Sequence, residues 1–140
     1  MTQRIGVLLE RRTLLLARRG VPTYEQLHLY RDVALAGGPE VVLFSLDGMD
    51  ADEGRVRGYA PTPSGWRRVV APLPAVVHKR VLFPPRIERA LGRRHGRGVL
   101  FVNPPRMSDK ARMYRTLMRS PHVIDHLPLT DRYDGDELAR

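Results

Sequence analysis

The sequence predicts an α/β fold: an open, mostly parallel sheet of about four strands with helices on both faces, Rossmann-like, and with an inserted β-hairpin. Three observations predict it. Consecutive β-compatible apolar residues at Ile5-Gly6-Val7-Leu8-Leu9, Val41-Val42-Leu43-Phe44 and Val99-Leu100-Phe101-Val102 have strand length without polar alternation, as expected of strands covered on both sides. Segments of helical spacing lie between them, in strand, helix, strand order. One turn cluster, Pro61, Pro63, Ser64 and Gly65, separates two further strand-like stretches.

In chain order, Arg4 to Leu9 reads as a buried strand, and Thr13 to Ala17 as a second apolar piece that pairs with it. Thr23 and Gln26 have the spacing of a capping box, which starts a helix whose apolar face is Tyr24, Leu27, Tyr30, Val33 and Ala34. Gly37-Gly38-Pro39 stops it. Glu40 to Leu46 is the next core strand. Val56-Arg57-Gly58-Tyr59 and Trp66-Arg67-Arg68-Val69-Val70 flank the turn cluster as an exposed hairpin, near 54–72. Leu73 to Arg80 is a third core strand, and Pro84-Pro85 opens a short helix with Ile87, Ala90 and Leu91 inward, which Gly96 and Gly98 end. Val99 to Val102 is the fourth strand, finishing at Asn103-Pro104-Pro105. Ser108 then caps a helix with Ala111, Tyr114 and Met118 on one face and Arg112, Arg115 and Arg119 on another. Val123-Ile124 reads as extended, and Asp134, Asp136 and Glu137 suit the first turn of a last helix.

A length of 140 residues with 42% hydrophobic residues suits one domain and a short extra piece. No apolar run has the roughly 18 to 20 residues of a membrane span, and the N-terminus lacks the apolar core of a secretory signal. With no cysteine there is no disulfide framework or thiolate metal site, in keeping with a cytoplasmic protein. The net charge of +9 raises the case of nucleic acid or another polyanion as partner. The arginines, however, are spread along the whole chain, and a solvated basic exterior explains them more simply.

Motifs for chemistry are sparse. There is no G-x-x-x-x-G-K-[ST] phosphate loop and no G-x-G-x-x-G after the first strand; Gly92, Gly96 and Gly98 have the wrong spacing and precede a strand. His122 and His126 lie between Pro121 and Pro128, which disfavour the helix that would bring them together as metal ligands. Asp47, Asp50, Asp52 and Glu53 lack the central Gly and distal Glu of a calcium loop. No serine sits in a G-x-S-x-G turn. The sequence thus offers no catalytic residue and no metal ligand set. Open α/β sheets bind ligands outside the carboxyl ends of their strands. That rule directs His78, Lys79 and Arg80, together with Asn103, toward one crevice, where an arginine can hold a carboxylate or phosphate in bidentate fashion. Arg80, Asn103 and Lys110 are the candidate substrate-binding residues.

Taken together, Ile5-Gly6-Val7-Leu8, Val42-Leu43-Phe44-Ser45, Val56-Arg57-Gly58-Tyr59 leading to Gly65-Trp66, and Pro74-Ala75-Val76-Val77-His78-Lys79-Arg80 resemble the N-terminal region of the endospore-coat-associated, ATP-grasp-like proteins of spore-forming bacteria. Phe101-Val102-Asn103, Asp109-Lys110 and Leu127-Pro128-Leu129-Thr130 continue the resemblance over nearly the whole chain. It departs from the family at Ala75, Lys79 and Leu129, where the family tends to carry acids. The resemblance implies that residues 1–106 are a pre-ATP-grasp domain and that 107–140 are the first helix and linker of an ATP-grasp domain that is not present. It implies a role in ATP-dependent carboxylate-amine ligation, with ATP and magnesium held by that further domain, so that this chain alone is not catalytic. The expected partners are an ATP-grasp half, in cis or in trans, or a second copy of the chain. Nucleic acid ranks below these, a membrane is not expected, and the setting is cytoplasmic and spore-associated.

Overall fold

The computed structural model describes residues 3–94, 97–104 and 110–129. The chain divides into two compact units, Met1–Arg106 and Met107–Arg140. The first unit is an α/β structure around one mixed sheet. Its strands are β1 (Arg4–Leu9), β2 (Glu40–Ser45), β3 (Met49–Asp50), β4 (Arg55–Thr62), β5 (Gly65–Pro72), β6 (Val76–Lys79) and β7 (Leu100–Val102). The helices are α1 (Arg11–Arg18), α2 (Leu27–Leu35) and α3 (Pro85–Gly92). The second unit contains α4 (Lys110–Leu117) and a 3-10 turn at Ile124–His126, where the sequence suggested extended chain. The expected Ser108 cap, the Gly96 stop and the helix near Asp134 lie outside the described residues.

The sheet has seven strands in the order β3-β4-β2-β1-β6-β7, with β5 on the free side of β4. It is therefore larger than the expected four-stranded sheet, and it is not mostly parallel: β1–β2, β1–β6 and β6–β7 are parallel, whereas β2–β4, β3–β4 and β4–β5 are antiparallel. The hairpin causes the difference. It joins the sheet through Leu43 opposite Tyr59 and Met49 opposite Val56, with the turn Leu46–Gly48 absorbing the change of register between the two contacts. Val56, Tyr59 and Ala71 are buried by this pairing. Gly58 makes it possible, because a side-chain carbon there would overlap the Leu43 carbonyl oxygen.

Strand alternation divides the core into two layers. Leu8, Val42, Phe44, Val77 and Phe101 face one side, where Ile87 and Leu91 of α3 cover them. Val7, Leu9, Val41, Leu43 and Tyr59 face the other, covered by Leu14 and Ala17 of α1 and by Leu27, Tyr30 and Ala34 of α2. Five consecutive residues of β2, Val41 to Ser45, are buried, as the unbroken apolar run predicts.

Two local expectations are corrected. Thr13 to Ala17 is not a strand but most of α1: only Leu14 and Ala17 are buried, at the i, i+3 spacing of a helix, and Leu and Arg are good helix formers. The capping box does not form either. Gln26 adopts the left-handed conformation at φ 50°, no side chain caps α2, and Thr23 Oγ1 is buried without a hydrogen-bond partner. The helix consequently starts at Leu27, and Tyr24 and Val33 are exposed rather than on its buried face. Its end is as expected: Gly37, at φ 90°, and Gly38 donate their amides to Ala34 and Val33 at 3.3 and 3.0 Å, a Schellman closure.

Candidate functional site

Beyond the reach of α2, no helix among the described residues of the first unit covers the sheet face formed by β6 and β7, because α3 crosses on the opposite side. Val102 and Leu100 remain about half exposed there. The uncovered face and the edge of α2 form a groove of about 640 Å³, with Ile5, Val41 and Val76 as its floor, Leu29 and Val33 as its wall, and His78 and Arg80 at one end. An apolar groove with a few convergent polar groups is the usual form of a small-molecule site.

The polar end is a connected network. Arg80 Nη1 donates to the Tyr30 hydroxyl oxygen at 3.1 Å. The same oxygen lies 2.9 Å from His78 Nδ1. Asn103 Nδ2 lies 3.3 Å from His78 Nε2 and donates to the Lys79 carbonyl at 3.2 Å. That carbonyl accepts only from an N–H, so it fixes the Asn103 amide nitrogen on the His78 side. Nε2 must then be the unprotonated acceptor, and Nδ1–H donates to the Tyr30 oxygen. Tyr30 thus accepts from both Arg80 and His78, which leaves its own O–H free to point into the groove. The neutral imidazole this requires agrees with its surroundings: burial, and secondarily the Arg80 charge, hold the His78 pKa below its ordinary value. Asn103 sits at φ 57°, a conformation that asparagine tolerates better than most residues, and this turns its amide back over β6.

Of the candidate residues, Arg80 and Asn103 are brought together around His78, and Arg80 has no carboxylate partner among the described residues. Lys79 is not in the crevice. Strand alternation sends it to the α3 side, where it is 2% exposed and its Nζ meets Glu88 Oε1 at 2.9 Å and the Val81 carbonyl at 3.1 Å. Lys110 opens α4 and belongs to the second unit. Tyr30 is a site residue that the sequence reading assigned only to a packing face. The one available signal was a hydroxyl at an otherwise apolar helix position, since a half-buried tyrosine O–H needs a partner.

The loop acids are engaged locally: Asp47 accepts the Ser45 hydroxyl proton at 2.5 Å, and Asp50 accepts the Glu53 amide at 3.0 Å. Among the described residues no group of three His, Cys, Asp or Glu is placed to hold a metal ion, and no helix is long and apolar enough to cross a membrane. The groove is also a poor fit to ATP and magnesium, because among the described residues lining it Glu25 is the only carboxylate and the walls are apolar. The chain matches no protein-family profile, no characterised protein and no solved structure at a significant level.

Proposed function

We propose that residues 1–106 are the N-terminal, pre-ATP-grasp domain of an ATP-grasp-like, spore-coat-associated protein, and form one wall of the cleft that binds the carboxylate substrate of an ATP-dependent ligase. The supporting observation is the Arg80, Tyr30, His78 and Asn103 network at the end of an apolar groove. Arg80 presents its remaining N–H donors and Tyr30 its free O–H, which together suit a carboxylate, while the groove suits an apolar substituent. ATP activation belongs to a further domain, and this chain alone does not turn over ATP.

Titration of the chain with apolar amino acids, followed by amide NMR, tests the reading. Shifts centred on Tyr30, His78 and Arg80, lost in Arg80→Gln, are expected, with no shifts at these residues from ATP and magnesium and no ATP turnover. Tight ATP binding in the Arg80 groove, or carboxylate shifts indifferent to Arg80→Gln, overturns it. The second reading is a free-standing basic module for nucleic acid or another polyanion. Its support is the net charge of +9 and the exposed stripe of Arg112 and Arg115 on α4, a helix with no buried residue, with Arg119 just beyond its end. Steeply salt-dependent binding to random-sequence duplex would favour it.

A further inference from the structure

A second groove, of about 560 Å³, opens beside the carboxyl end of β2, between α1 and the hairpin. Arg11 of α1, Arg57 of β4 and Arg68 of β5 line it, with Asp47 and Ser45 at its base. Arg68 stands opposite Tyr59, and Arg57 opposite Val70, so the two hairpin arginines are diagonal neighbours on one face of the ribbon. Like charges so placed repel one another, and neither Arg57 nor Arg68 has an ion-pair partner among the described residues, although Asp47 lies near enough to feel the Arg57 charge. The one carboxylate present is largely committed. Asp47 takes the Ser45 hydroxyl at 2.5 Å, and its second oxygen lies 4.0 Å from Arg11. Three guanidiniums against one carboxylate leave the groove with surplus positive charge.

The position adds to the charge. The β1 connection leaves over one face of the sheet and the β6 connection over the other, so the switch point of this sheet lies between β1 and β6. A crevice at those two carboxyl ends, lined by Glu10, Arg12 and Phe83, shares Arg11, Ser45 and Asp47 with the arginine groove. Leu15 and Val70, both exposed, give the arginine groove an apolar rim.

We propose that this groove is an anion site for a small molecule carrying a diphosphate group, clamped by Arg11, Arg57 and Arg68. Guanidinium forks match phosphate oxygens in bidentate geometry, and three of them from separate elements enclose two phosphates better than one. A nucleic-acid backbone is the less favoured occupant, because the three arginines line one groove of small-molecule size and Tyr59, at 7% exposure, offers no stacking face. The site is separate from the Arg80 groove, so neither depends on the other.

The test uses the whole chain and inorganic pyrophosphate as probe, by calorimetry at about 0.15 M salt, where weak surface attraction is screened. Saturable one-to-one binding is expected, weaker for orthophosphate. Arg57→Gln and Arg68→Gln each reduce affinity about tenfold or more, as loss of a charged hydrogen-bonding pair does. Arg93→Gln, on an exposed arginine elsewhere, leaves it unchanged. All three side chains can be truncated with the fold checked by circular dichroism. Absent binding, equal losses in Arg93→Gln, or random-sequence duplex binding more tightly than pyrophosphate while remaining sensitive to the same substitutions, overturns the proposal.

Discussion

Glu88→Gln isolates the pair that draws Lys79 away from the groove. Lys79 Nζ is held by Glu88 Oε1 at 2.9 Å with side-chain exposures of 1% and 12%, and the same oxygen also accepts the Phe83 amide at 2.9 Å. The amide of glutamine preserves the shape and still accepts these bonds, but leaves the Lys79 charge buried without a counter-charge. Breaking one side of a buried pair costs about 3–5 kcal/mol, and the retained acceptor places this case near 3 kcal/mol. For a unit of this size, with total stability of roughly 5–15 kcal/mol, that is a fall in melting temperature on the order of 10 °C. Urea unfolding followed by fluorescence of Trp66, the single tryptophan, measures it. The double variant Lys79→Met with Glu88→Gln removes the stranded charge and should recover most of the loss. A cost under about 1 kcal/mol, the worth of an exposed pair, would refute both the burial of Lys79 and its assignment to the α3 side.

Two further outcomes follow from the same geometry. Because the folded state holds His78 below the ordinary imidazole value of 6.5, stability from its neutral network is complete above about pH 6.5 and is lost as pH falls from there through the lower folded value. The stability difference between wild type and His78→Gln, measured by urea unfolding from pH 8 to 5, should therefore shrink on acidification; a flat difference contradicts the neutral tautomer. Gly58→Ala places a methyl against the Leu43 carbonyl and should cost about 1–3 kcal/mol in the same assay, with faster amide exchange in β4, whereas an unchanged midpoint contradicts the β2–β4 pairing.

The parallel strands β1 and β2 were legible because burial on both faces demands unbroken apolar runs, and β7 carries such a run although only Phe101 of it is buried. The hairpin was legible as a hairpin but not as part of the sheet. Its pairing with β2 depends on close approach at Gly58, a contact between residues distant in sequence. Thr13 to Ala17 was ambiguous for a different reason: a short apolar run fits a strand or a buried helix equally, and only the burial of Leu14 and Ala17 decides it. In the groove, the end-of-strand rule picked out Arg80 and Asn103 correctly as neighbours of His78. It erred at Lys79, since consecutive strand residues face opposite sides and the rule ignores parity. Tyr30 was hidden by the assumption that one helix face serves packing alone.

The position of the groove follows from the path of the chain. α1 and α2 cross between β1 and β2 on one side, and α3 crosses between β6 and β7 on the other, as right-handed connections running in opposite directions along a sheet require. The half of the sheet that α3 covers is therefore the half whose opposite face is left bare by the described helices of the first unit. On that bare face β6 presents its alternate residues, Val76 and His78, with Arg80 just beyond, while Lys79 goes under α3. A shift of β6 by one residue would exchange Arg80 for Lys79 in the groove and move Val77 out of the core. The fully buried Val77 thus holds the register that keeps the guanidinium facing Tyr30, so the packing of the α3 layer sets the chemistry of the opposite face.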